Sequence, residues 1–403
     1  MIGLNKIGLN QVQLNRLYLN APFPVYRKMT GGGSSGDGFP VLPGDVTRWH
    51  FGGLTNEMMA AMDDPRIEDA DHKGRFLSFK NFAWGGMSGI GGHVQNFNNF
   101  RNNATVDKIR IDEQSSNSVK VTILTSGMGH VIYIPKDVYQ FNKSYFIKIS
   151  SEGYNEGDLF LSFYAPSTST ATTVKVPLNP NGITEIPAIK EDDFLAVYLF
   201  NAAGKVGSIT IEQLPLYPGF ILGDGVDDFA VTEKELNFED TYTVYTAFIP
   251  FQDDPARNMI LCGKNDTKDF AINYSGTHLN FKPSTGVNLA VRIDQFALLV
   301  CKRNKDITTI INLSTGESRS LKSVEFISNP GLYYLWRNVF ATFHAKAAIA
   351  GQIIDNGHFT TDEEDENILN WHKKQYPWLF PNQAWTVTGK TNEDYLQTLK
   401  AKI

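Results

Sequence analysis

"FILGDGVDDFAVTEKELNFEDTYTVYTAFIPF", residues 220–251, decides what kind of fold this chain adopts. The runs "DFAVT" and "YTVYTAFIPF" are rich in β-branched and aromatic residues, and turn residues stand before and between them. The same theme continues to residue 358, through "NMILCGK", "DFAINY", "HLNFK", "LAVRI", "FALLVCKR", "ITTIINL", "ESRSLKS", "LYYLWR" and "KAAIAGQIID". Ten or more strands of this kind predict a large sandwich or jelly roll.

The pattern changes after this block. "TTDEEDENILNWHKKQY" (360–376) reads as a helix, with Thr361 as its cap, acids in its first turn, and His372, Lys373 and Lys374 at its end. Pro377 stops it, and the tail ends in a second short helix, so the last domain spans 218–403. Towards the N-terminus, residues 105–217 hold about eight short alternating runs, among them "SVKVTIL", "HVIYI", "SYFIKIS", "LFLSFYA" and "LAVYLF". Their spacing predicts a β-sandwich. Residues 31–104 read as a joint, "GGGSSGDG", followed by a loop-rich linker with one strand and a short helix over Asn56 to Met62. The fold class is therefore mainly β.

Residues 1–30 are of another kind. Four blocks of five, I-G-L-N-K, I-G-L-N-Q, V-Q-L-N-R and L-Y-L-N-A, place Ile2, Ile7, Val12 and Leu17 first. Leu4, Leu9, Leu14 and Leu19 stand third, followed by Asn5, Asn10, Asn15 and Asn20. A helix advances about 140° net over five residues, which scatters these positions around the cylinder. A straight strand has period two, so every block would turn its apolar pair to the opposite face. Asn tolerates a corner conformation. Two readings remain open: one rung of a square β-coil, or an extended segment buried between neighbouring chains. Neither is stable alone. Both predict an arm for assembly or anchoring.

The 403 residues suffice for two or three domains. A net charge of −6 without a dense Lys/Arg stripe argues against nucleic acid as the main partner. No apolar run approaches the roughly 20 residues of a membrane helix, so no membrane insertion is expected. The first residues lack the marks of a secretory signal. Cys262 and Cys301 sit in apolar runs and read as buried thiols made in a reducing cytoplasm, with a disulfide left open.

Two stretches resemble known families. Residues 220–251, with "HFTTDEEDENI" (358–368), resemble concanavalin A-like, laminin-G-type jelly rolls, which often open on a D-G-x-D-D-[YF] turn. "LYLNAPFPVYRK" resembles an anchor near the N-termini of bacteriophage virion proteins. "FGGLTNEMMA" and "FKNFAWGGMSGIGGH" are similar to a segment of fibre and appendage proteins from phages of gut Bacteroidales, including crAss-like phages. Ile90 stands where that family usually has an aromatic residue. The resemblance implies a virion protein, a head or tail fibre made in the host cytoplasm. Its partners would be capsid or tail proteins bound through the arm, further copies of itself, commonly as a homotrimer, and polysaccharide on the host surface.

The candidate chemistry is sparse. Asp224, Asp227 and Asp228 could ligate calcium, or could simply tie a turn around Gly225. No other cofactor is expected. Trp336, Trp371, Trp378 and Trp385, with Tyr333, Tyr334 and Tyr376, could stack on sugars if exposed, or pack the helix on the sandwich if buried. "AWTVTGKT" (384–391) fits a loose phosphate-loop pattern with no βαβ frame, and Ser88 in "GMSGI" lacks the second glycine of a nucleophile elbow. The eight histidines never take metal-ligand spacing, and "EEDE" (363–366) begins a helix rather than forming a catalytic acid pair. No enzyme is expected and no catalytic residue is assigned. The reading is a structural and adhesive phage protein; the alternatives are a capsule depolymerase and a capsid decoration without a ligand.

Overall fold

A computed structural model describes residues 38–251, 259–264, 270–275, 278–282, 288–291, 295–323, 330–337 and 344–379. The repeats from Ile2 to Asn20, the glycine joint up to residue 37, Trp385 and "AWTVTGKT" lie outside the described residues. The chain is mainly β, as the sequence predicts. It divides into two compact units: 38–82 with 219–379, and 83–218.

In the first unit one sheet is centred on Tyr242–Pro250, which pairs antiparallel with Ala297–Arg303 on one side and Lys346–Asn356 on the other. Ile307–Asn312 and Glu317–Lys322 extend it outward. The other edge of Lys346–Asn356 is shared by Ile221–Asp224 and Asp45–His50. A strand with one wet face alternates. Tyr242–Pro250 and Ala297–Arg303 are buried at every position, so both of their faces are covered. On one face Tyr245, Val300 and Ile353 meet Ile368 and Trp371 of the helix Asp362–Gln375, together with Leu42 and Val46. The second sheet of this unit runs Arg66–Glu68, Phe76–Lys80, Phe229–Thr232, Tyr334–Leu335, Met259–Gly263, Ala271–Ser275, His278–Lys282 and Asn288–Ala290.

The helix has the ends that its sequence predicts. Thr361 accepts from the Glu364 amide while the Glu364 carboxylate accepts from the Thr361 amide, a reciprocal capping box. The short helix is Asn56–Ala60, capped by Thr55. Asp45–His50 and Phe76–Lys80 are strands of the first unit, which departs from the expected linker over 31–104. The rest of that stretch divides differently too, because Phe97 and Phe100 are buried in the second unit.

The second unit has two five-stranded sheets. One runs Ile183–Ile186, Tyr145–Ser151, Gly207–Gln213, Ser118–Ile123 and Ile109–Gln114. The other runs Val174–Pro177, Leu159–Tyr164, Ala196–Asn201, His130–Pro135 and Arg101–Asn102. Period-two alternation buries Val119, Val121 and Ile123 of the first sheet, and Leu159, Leu161 and Phe163 of the second. Gln95 and Gln213 are joined reciprocally: the Gln95 amide donates to Gln213 Oε1 at 2.9 Å, and Gln213 Nε2 donates back to the Gln95 carbonyl at 3.1 Å.

Candidate functional site

Of the four candidate tryptophans, Trp336 and Trp371 have described side chains, and neither is exposed. Trp336 is fully buried, held by an Nε1 hydrogen bond to the Ala347 carbonyl at 2.9 Å and by Phe51 and Phe82. Trp371 is buried against Phe39 and His50. Buried rings offer no face to a sugar, so these two belong to a packing seam, with Tyr333, Tyr334 and Tyr376 buried as well. Trp378 stands in the turn Pro377–Leu379, and its side chain lies outside the described part.

Asp224, Asp227 and Asp228 do come together. One carboxylate oxygen from each lies within 4.8 Å of the others. Calcium takes 6–8 oxygen ligands of this chemical type, so the donor set suits it. The turn also satisfies itself: Asp228 Oδ2 accepts from the Asp224 amide at 2.9 Å, and Asp224 Oδ1 accepts from the Val226 amide at 2.7 Å. Gly225 has φ +81°, and an added Cβ would meet Lys346 Cβ at 2.8 Å. Ser88 is a turn residue whose Oγ accepts from the Ala83 amide. Both cysteines are free and buried; burial pushes the Cys262 thiol up to about 12 and raises Cys301 as well.

The most distinctive surface belongs to the second unit. Strand alternation leaves Phe160, Ser162 and Tyr164 on the outer face of Leu159–Tyr164, and Tyr198 and Phe200 on that of Ala196–Asn201. The pairing with His130–Pro135 shifts register between Tyr198 and Phe200. That irregularity brings both His130 and Tyr133 to the same face, although they are three residues apart. All six rings (Phe160, Tyr164, Tyr198, Phe200, His130 and Tyr133) are partly exposed.

Five of these rings, all but Phe160, form one contact network. His130 lies 4.6 Å from Tyr198, 5.1 Å from Phe200 and 5.7 Å from Tyr164, centroid to centroid. Tyr198 lies 5.4 Å from Tyr133 and 5.9 Å from Tyr164. Register places Lys175, Ser162, Tyr198, Tyr133 and Arg101 in a single row across all five strands. Lys175 Nζ sits 4.2 Å above the Phe200 ring. Ser162 is the buried member of this row, and its Oγ makes no hydrogen bond with any described residue.

The electrostatics keep this face neutral in its middle. Burial, then Lys175, lowers the His130 pKa, so the imidazole is uncharged at neutral pH. Burial, then the neighbouring Tyr133 and Tyr164, raises the Tyr198 pKa, so its hydroxyl stays a donor. The arrangement presents ring faces, hydroxyls and an imidazole together, which suits a ligand with both C–H faces and hydroxyl groups. Sequence reading found these strands but missed the face. The available signal was aromatic residues at Phe160, Tyr164, Tyr198 and Phe200, positions where a wet sheet face normally carries polar side chains.

No protein-family model matches the chain, and no curated protein matches it. Solved structures do. A botulinum neurotoxin type C structure concerned with interaction with two ganglioside molecules aligns at 9% identity and TM-score 0.29, over 37% of this chain and 40% of that one. The botulinum neurotoxin type G receptor-binding domain aligns at 10% identity and TM-score 0.28, over 38% and 44%. The VIP36 exoplasmic/lumenal domain, in its Ca2+/Man3GlcNAc-bound form, aligns at 8% identity and TM-score 0.27, over 38% and 86%. The chain thus spans less than half the length of these two toxin chains. Likenesses of this size assign no ligand and no activity to it.

Proposed function

We propose that this chain is a non-enzymatic adhesive protein of a phage particle, a head or tail fibre that binds glycans on the bacterial surface. The aromatic face of the second unit supports the binding part of this reading: six partly exposed rings on one sheet, with hydroxyls among them and a buried Ser162 Oγ in the same row. The virion part rests on the sequence resemblance in "GLTNE" and "NFAWGGMSGIGG". In this reading the repeats from Ile2 to Asn20 join copies of the chain and fix them to the particle, and several weak sites act together through avidity. Among the described residues, no helix is long and apolar enough to cross a membrane.

The test is binding of the full chain to purified surface polysaccharide from the host, with Tyr198→Ala as the variant. Saturable binding that falls at least about tenfold in the variant, close to 1.4 kcal/mol, supports the reading. No saturable binding would leave a decoration protein without a ligand. Depolymerisation of the polysaccharide would replace adhesion with catalysis.

A further inference from the structure

The row across the aromatic face ends in a cation on both sides. Lys175 lies on one edge strand and Arg101 on the other, both exposed. With strands about 4.8 Å apart, the ends of the row are on the order of 19 Å from each other. Among the described residues, no carboxylate pairs with either cation. The row between them contains Ser162, Tyr198 and Tyr133, with no charge. The acids Glu191, Asp192 and Asp193 line a separate depression of about 380 Å³ with Lys136, whose Nζ pairs with Glu191.

We infer that this face takes an acidic glycan, a chain of neutral and carboxylated sugars lying across the five strands with its carboxylates at Lys175 and Arg101. This rests on the glycan-binding reading and narrows it to a ligand class. The whole chain carries a net charge of −6, which repels polyanions in general. A preference for an acidic polymer must therefore arise locally. Single-stranded nucleic acid also combines stacking with positive charge, but its phosphate on every nucleotide calls for a continuous basic groove. Two cations separated by three uncharged positions suit sparser charge.

The experiment uses the full chain with hyaluronan, unsulfated chondroitin and gellan, whose carboxylates are spaced by neutral sugars, each beside its carboxyl-reduced counterpart, and an oligothymidylate as a further probe. Binding of at least one acidic polymer about tenfold or more above its reduced form is expected. The double variant Lys175→Gln with Arg101→Gln should abolish that preference, leaving residual binding to both forms. Tyr198→Ala should weaken both forms together, and unchanged melting temperatures would confirm that each variant folds. Equal binding of acidic and reduced forms overturns the acidic assignment and leaves glycan binding standing. Binding to none of the six polymers overturns both. Binding to the oligothymidylate alone makes the face a nucleic-acid platform and overturns both as well.

Discussion

Lys302 and Asp365 form an ion pair in which each side chain is only 3% exposed. Lys302 lies on a central strand and Asp365 in the first turn of the helix Asp362–Gln375, so the pair ties the helix to the sheet. Asp365 Oδ1 also accepts from the Tyr245 hydroxyl at 2.7 Å and from Thr360 Oγ1 at 2.8 Å. Burial raises the Asp365 pKa, against the opposing pull of Lys302. Removing one partner strands the other charge. Lys302→Met should therefore destabilise the protein by about 3–5 kcal/mol. Replacing both residues by apolar ones should cost much less. Chemical unfolding of both single variants and the double variant measures the difference, and a double loss equal to the sum of the two single losses would show that the pair is not coupled.

Gly223 and Trp336 make a second tight relationship. A Cβ at Gly223 would lie 2.5 Å from Trp336 Cδ1, in a place where the ring is enclosed by Phe51 and Phe82. Gly223→Ala should cost about 1–3 kcal/mol through overpacking, and it should shift the tryptophan emission. An unchanged melting temperature would contradict the packing at this position.

These residues show how far the sequence could be read. Strand content was legible because alternation and turn residues are local signals, and the helix was legible from Thr361, its acids and Pro377. The pairing of Asp45–His50 with Lys346–Asn356 was not, since nothing near residue 45 names a partner 300 positions away. The same limit hid the aromatic face. Phe160, Tyr198 and Tyr133 come from three strands and meet only through register, which also depends on a one-residue irregularity. Trp336 and Trp371 were visible as aromatic residues, while their burial depended on which elements cover them.

Asp355 should give stability an unusual pH dependence. Its side chain is buried beside Gly44, and burial raises its pKa from the ordinary 3.8 to about 6, partly offset by His358. Between those values the folded state holds a proton that the unfolded state has lost. Stability therefore falls as pH rises from about 4 to 6 and levels off above. Asp355→Asn should match the parent near pH 4 and exceed it by up to about 3 kcal/mol at pH 7. Unfolding curves at the two pH values test this, and a variant less stable than the parent at pH 7 would reverse the sign.

The aspartate turn separates two roles. Asp228→Ala leaves the Asp224 amide without its acceptor, so a loss of about 1–3 kcal/mol is expected. If the triad serves only the turn, millimolar calcium should leave the melting temperature of the parent unchanged. A calcium-dependent rise that Asp227→Asn abolishes would instead make Asp224, Asp227 and Asp228 a metal site.

The repeats from Ile2 to Asn20 can be tested by mass in solution. Four blocks that place apolar pairs at a five-residue spacing cannot bury them within one isolated rung or strand, so the assembly reading predicts that other chains supply the burial. Closed symmetry lets copies supply that burial for each other. Light scattering on the full chain should give a homotrimer, the number implied by the fibre resemblance, and a chain beginning at Gly38 should fall to monomer. If both remain trimeric, the β units assemble by themselves and the arm serves as the anchor to the particle. A monomer in both cases would remove the homo-oligomeric fibre, and the apolar positions Leu4, Leu9, Leu14 and Leu19 would then require a different chain as their partner.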